Sequence, residues 1–386
     1  MAARPLSNID SRVIVNSSIT NVVDNRPELI IGLNVTTTAA SATWTGGTDT
    51  SWVVANNWSP SGVPATDAPI IFNGASTANL NTVLNQNFSV TSLSVTNPTG
   101  PVSIGGANTL TNGIGGIDLS AATQDLTITA PMVLGAVQTW NVASGRTLSV
   151  NGGVSGNVSL TVAGAGKVSL GAAATHTNDT TVSAGGTLKM GAANVLPNGS
   201  GKGNVVLNGT LDLNGTAQVI NGLSGSGGVV DNIGGGAGIL TVGSNDITST
   251  FSGTIQNTSG SLALVKTGVG SFTFGGTNTF SGGFTNNGAG SVFTSGPAGT
   301  NYFLGIGPVV MNAGTLYLTP QSYTVTNSLT LNGASLRVGG AGSHLLTWSG
   351  PISVSANGLP ITDSMPLNPP IPVAVSNCRF AVAEAA

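Results

Sequence analysis

Over most of the chain, apolar and polar residues alternate for four to eight positions and then stop at Gly, Asn, Thr or Ser. Phe88-Ser89-Val90-Thr91-Ser92-Leu93-Ser94-Val95, Thr147-Leu148-Ser149-Val150, Val168-Ser169-Leu170 and Asn327-Ser328-Leu329-Thr330-Leu331 are examples. A period of two places every second side chain on one face, so these runs predict short strands with one buried side. No segment carries a sustained helical stripe. The pattern predicts an all-β chain.

The runs also repeat at long range. Gly203-Asn204-Val205-Val206-Leu207-Asn208, with Gly209-Thr210-Leu211-Asp212-Leu213 after it, returns as Gly307-Pro308-Val309-Val310-Met311-Asn312 and Gly314-Thr315-Leu316-Tyr317-Leu318, an offset of 307 − 203 = 104. Gly166-Lys167-Val168-Ser169-Leu170-Gly171 returns as Gly270-Ser271-Phe272-Thr273-Phe274-Gly275 at the same offset of 104. Two blocks at one spacing predict a duplicated module of about five coils of roughly 20 residues. Short repeated strands with Gly and Asn at their corners fit a parallel β-solenoid (β-helix) better than a sandwich. Residues 76–355 would then form about 14 coils, a rod near 65 Å long at roughly 4.8 Å per coil.

Three segments flank or interrupt that pattern. Residues 1–41 form an N-terminal arm with two strand-like runs, one containing Val13, Ile14 and Val15 and the other Ile30 and Ile31. Residues 42–75 are Trp-rich, with Trp44, Trp52 and Trp58 within 15 positions. Large amphipathic rings at one end of a repetitive core predict a lid, with a sugar-stacking platform as the alternative. Residues 356–386 form a Pro-rich extended tail whose final strand-like stretch includes Val373, Val375 and Phe380.

Composition then narrows the chemistry. Of 386 residues 57 are Gly, and charged residues make up 6% against 40% hydrophobic. Low charge with ample apolar surface describes an ordered scaffold rather than a disordered chain. A net charge of −3 with 10 scattered basic residues gives no footprint for nucleic acid. No apolar run approaches the roughly 18 residues of a membrane-spanning helix. Residues 1–19 include Arg4, Asp10 and Arg12 and lack the apolar core of a secretory signal, which leaves the export route open.

The segment Gly268-Val269-Gly270-Ser271-Phe272-Thr273-Phe274-Gly275-Gly276-Thr277-Asn278-Thr279-Phe280-Ser281-Gly282-Gly283 resembles the autotransporter-associated β-strand repeat, also called the passenger-associated transport repeat. A degenerate copy lies at Gly164 to Leu188, and Trp44 to Phe72 is similar to the start of many repeat-rich surface proteins of that group. The resemblance spans roughly residues 42–350 and implies a right-handed β-solenoid exported to and displayed at the bacterial surface. It departs from the family in lacking a C-terminal translocator barrel, so transport by a fused barrel is not expected.

Candidate chemistry is sparse. Asp118, Asp125, Asp179, Asp212, Asp231 and Asp246 are isolated in sequence and form no paired motif of the sort a polysaccharide-cleaving β-helix needs. Asp231-Asn232 before Gly234-Gly235-Gly236 predicts a corner turn. His176 and His344 have no partners at metal-ligand spacing, the single Cys378 excludes an intrachain disulfide, and Gly115-Gly116-Ile117-Asp118-Leu119 lacks the tandem Gly spacing of a calcium repeat. Tyr302, Phe303 and Tyr317 are candidates for an exposed aromatic patch.

The chain therefore reads as a non-enzymatic structural protein with no cofactor, catalytic residue or metal site. Its expected place is extracellular or at the bacterial cell surface. The first expectation is head-to-tail self-assembly into a filament, with Val13, Ile14, Val15, Ile30, Ile31, Val373, Val375 and Phe380 pairing to neighbouring subunits. The second is a monomeric adhesin that binds surface glycans through Trp44, Trp52 and Trp58 or a solenoid face. The third is a polysaccharide-degrading enzyme.

Overall fold

The computed structural model describes residues 38–295, 303–318, 323–338, 346–355 and 362–363. Apart from one short 3-10 turn at Ala55–Asn57, every regular element among them is a strand, and the strands stack in parallel as a β-solenoid. Each turn lays three short strands on three faces. The chain passes from the third face to the first, then to the second, before it climbs.

All three faces can be followed along most of the stack. On the first, Leu93 registers with Ile117, then Trp140, Val162, Val182 and Leu207. An isolated bridge from Gly225 to Phe251 carries this face on to Phe274, Thr294 and Leu318. The second face runs from Asn81–Val83 to Thr254–Ile255. It continues through backbone bonds from Thr279 to the Ile255 carbonyl and from Ile306 to the Phe280 carbonyl, both 2.9 Å. The third face begins with the first half of Phe88–Val95 and ends at Ile352–Val354.

Register corrects the turn length expected from sequence. From Ile70 to Val338 the first face spans 268 residues in 12 turns, about 22 per turn rather than 20. These 12 turns rise about 58 Å at roughly 4.8 Å per turn, and at this length residues 76–355 make about 12 to 13 turns rather than the 14 predicted. At 22 residues per turn the 104-residue offset amounts to about 4⅔ turns, so the two copies occupy different faces. Lys167–Leu170 lies on the second face and its counterpart Phe272–Phe274 on the first. Val205–Leu207 lies on the first and Val309–Met311 on the third. Thr210–Asp212 lies on the second and Thr315–Leu318 on the first. Each copied strand has moved back by one face, which a shift of one third of a turn requires.

Alternation sets the interior. Strands such as Thr147–Val150, Thr187–Met190 and Ser261–Lys266 bury every second residue. Leu, Val and Ile fill most of the core, and in the later turns Phe272, Phe274 and Phe284 stack edge-to-face with ring centroids 4.9 and 5.3 Å apart. Corners turn on amides whose side chains bond to backbone. The buried Asn221 donates to the carbonyls of Gly199, Lys202 and Gly203 at 3.0, 2.9 and 3.0 Å. Asn327 donates likewise to Gly305 and Gly307 at 3.1 and 2.6 Å. Such bonds satisfy carbonyls that the ladder leaves unpaired at bends.

The segment that resembles the autotransporter-associated repeat has a clear mechanical role. Asn278 is buried at a second-face corner, where its Oδ1 accepts from the Ile255 amide at 2.8 Å and its Nδ2 donates to the Phe303 carbonyl at 2.6 Å. One side chain thus ties three consecutive turns together. Phe280, two residues on, is fully buried. Gly283 follows at φ +89°, a conformation that side-chain-bearing residues avoid.

Candidate functional site

The tryptophan cluster closes the N-terminal end of the stack. Ala42–Trp44 pairs in parallel with Ala68–Phe72 and antiparallel with Trp58–Ser59. Trp44 and Trp58 meet edge-on at 4.9 Å, Trp52 and Trp58 at 5.1 Å, and Trp52 and Phe88 at 5.1 Å. The indole N–H of Trp44 donates to the Ala78 carbonyl at 3.2 Å and that of Trp58 to the Trp52 carbonyl at 2.9 Å. Buried Asn57 braces the loop, accepting from the amides of Thr48 and Asp49 and donating to Asp49 Oδ1 and the Ser51 carbonyl. All three indoles are buried, so none offers the open ring face that sugar stacking needs. The platform expected as an alternative is therefore corrected: these rings are core. The edge strand beyond them is two residues long and is followed by Pro60, which has no N–H for a further strand.

The carboxylates act as corner braces. Asp212 and Asp231 are register neighbours on adjacent turns, in a column that also holds Ser169 and Lys189. Asp212 accepts from the amides of Asn214 and Ile233 at 2.9 and 3.1 Å. Asp231 accepts from the Asn232 and Thr258 amides, the Thr258 hydroxyl and the Gln256 amide group at 2.7–2.8 Å. Burial alone would raise the Asp231 carboxyl, but the bonds from Gln256, Thr258 and Asn232 outweigh it and hold the group below its ordinary value. Sequence spacing gave no hint that Asp212 and Asp231 stack, because turn length sets that contact. Asp125 makes a partly exposed ion pair with Arg146 at 3.6 Å, Asp179 accepts from the Asn204 amide, and Asp246 accepts from the Val269 amide.

Two buried cationic-type groups were not foreseen as such. His176 is fully buried, with Nε2 2.8 Å from the Thr180 hydroxyl and no hydrogen-bond partner for Nδ1. Burial, helped by the nearby Lys202 charge, lowers its pKa to about 4. Lys266 ends an alternating strand with its side chain inward, and its ammonium donates to the Gly268 carbonyl at 2.7 Å. Burial pulls its pKa down and Asp246 opposes that shift.

Near His176, Ser159, Thr177, Asn178, Asp179, Lys202, Gly203 and Asn204 border an open polar depression. Among the described residues no three His, Cys, Asp or Glu side chains gather as a metal site, and no helix is long and apolar enough to cross a membrane.

Of the three rings expected in an aromatic patch, one lies in an outward pair. Phe303 is buried and Tyr302 is outside the described residues. Tyr317 points outward on the first face and stacks on Phe293 one turn below, with centroids 5.3 Å apart and planes at 50°. Val13, Ile14, Val15, Ile30, Ile31, Val373, Val375 and Phe380 all lie outside the described residues.

Comparison with protein-family models, curated proteins and solved structures returns no match.

Proposed function

We propose that this protein is a structural rod of the bacterial cell surface that assembles head to tail into a filament. The difference between its two ends carries the reading. At the N-terminal end the core is sealed by three indoles and a proline-blunted edge. At the other end Val354 continues the inward column of Met311 and Leu331 yet is 44% exposed. Among the described residues no further strand pairs with Ile352–Val354, and an inward valine at such a parallel edge is a template for another strand. In this reading the runs around Val13–Val15 and Ile30–Ile31 of one subunit supply strands to the open end of the next, with Val373, Val375 and Phe380 as the reciprocal candidates. Subunits that differ at their two ends polymerise heterologously and do not close. Scarce charge favours such association by limiting repulsion. Surface display is supported by the resemblance of residues 268–283 to the autotransporter-associated repeat.

Negative-stain electron microscopy over a dilution series tests this. Fibres with a regular axial repeat are expected from the full chain, and deletion of residues 1–38 should abolish them while leaving the β circular dichroism unchanged. Single rods at all concentrations, or fibres unaffected by the deletion, would refute the assembly.

A further inference from the structure

One outward column breaks the surface chemistry of the solenoid. Thr273, Phe293, Tyr317 and Arg337 are register neighbours on four successive turns of the first face. Among the described residues the large rings otherwise go inward, as Trp44, Trp52, Trp58, Trp140, Phe274 and Phe284 do. Here the order is reversed, for Thr294 is buried while its neighbour Phe293 stands outside.

The internal duplication supplies a control. The equivalent column of the earlier copy holds Ser169, Lys189, Asp212 and Asp231. Inward neighbours in both copies are mostly apolar: Val168, Leu188 and Leu211 in one, Phe272, Val292 and Leu316 in the other. Lys189, half-buried at the position of Phe293, shows that the strand stack does not demand a ring there. Asp212 and Asp231 are buried corner braces, so the later copy's Tyr317 and Arg337 stand in a different setting.

We propose that Phe293 and Tyr317 are a stacking platform for the sugar rings of a linear polysaccharide that runs along the solenoid axis. A pyranose has an apolar C–H face and a hydroxyl rim, and the column offers the complement. Two rings lie one turn apart along the axis, amid hydroxyls such as Thr273 and the mutually bonded pair Thr315 and Ser335, whose oxygens are 2.9 Å apart. The two rings follow one another along the axis on consecutive strands, an arrangement that suits the middle of a long chain as well as its end. Exposed Arg337 continues the column and adds positive charge, the complement of a carboxylated sugar. An apolar protein partner would need a contiguous greasy patch, and the hydroxyl-bearing neighbours interrupt one.

Affinity electrophoresis of the full chain through gels containing polygalacturonate or hydroxyethyl cellulose tests this independently of filament formation. Retardation by at least one polymer is expected. The double variant Phe293→Thr/Tyr317→Thr, which places the residue type of Thr273 along the column, should weaken it on the order of tenfold with an unchanged melting curve. Arg337→Gln should weaken retardation by polygalacturonate alone if the sugar is acidic, and leave both alone if it is neutral. The proposal is overturned if neither polymer retards the chain, or if the double variant is retarded as strongly as the parent. It is equally overturned if the double variant loses only thermal stability or lateral bundling of filaments.

Discussion

Replacement of Asn278 by Ala isolates the bond that ties three turns together. The side chain accepts from the Ile255 amide at 2.8 Å and donates to the Phe303 carbonyl at 2.6 Å, in a site closed to water. Removing the amide forfeits the two bonds between turns at about 1 kcal/mol each, besides a long local one to the Gly276 carbonyl at 3.3 Å, and strands the buried Ile255 N–H at about 1–2 kcal/mol more, for a total of about 3–4 kcal/mol. Urea unfolding should report that loss as a lower midpoint at unchanged slope. Native-state hydrogen exchange should localise it, with the Ile255 amide losing protection more than amides several turns away, because a solenoid turn is stabilised by its nearest neighbours. Asn278→Leu separates the cause from simple loss of volume, since Leu fills the space but can neither accept nor donate. It should be as damaging as Ala. If Leu restores the parent stability, or if Ala costs under about 1 kcal/mol, the corner is held by packing and the assignment of the bond as a tie fails.

Two further outcomes follow from buried groups. His176 has its folded-state pKa lowered to about 4 from 6.5, so the unfolded chain binds its proton more readily; stability should be full above about pH 6.5 and fall progressively towards pH 4, by up to about 3 kcal/mol. His176→Gln should flatten that slope in pH-dependent urea melts, and an unchanged slope would show that another group is responsible. Trp58→Ala opens a cavity beneath the lid where both Trp44 and Trp52 pack, so it should cost about 3–5 kcal/mol in thermal unfolding without any change in retardation by polysaccharide; a ring that proves dispensable for folding would return Trp58 to the surface.

Much of this protein was legible in its order of residues. Alternation of the kind seen in Thr147–Val150 or Thr315–Leu318 is a local property, and it assigned strands and inward positions correctly because a strand sends successive side chains to opposite faces. Gly and Asn marked the corners for an equally local reason, their tolerance of positive φ and the reach of a short amide to nearby backbone. Near-absence of titratable side chains was also plain. Tertiary structure alone decided the phase. The length of a turn sums every strand and corner in it, and corners vary, so only register shows that 104 residues make about 4⅔ turns and carry each copied strand back by one face. The same register stacked Asp212 on Asp231, buried His176, and sent Phe293 outward beside Tyr317. Ser291-Val292-Phe293-Thr294 offers two apolar neighbours and no preference between them; pairing with Leu316, Tyr317 and Leu318 made the choice, since a one-residue slip would put every side chain of the strand on the wrong side.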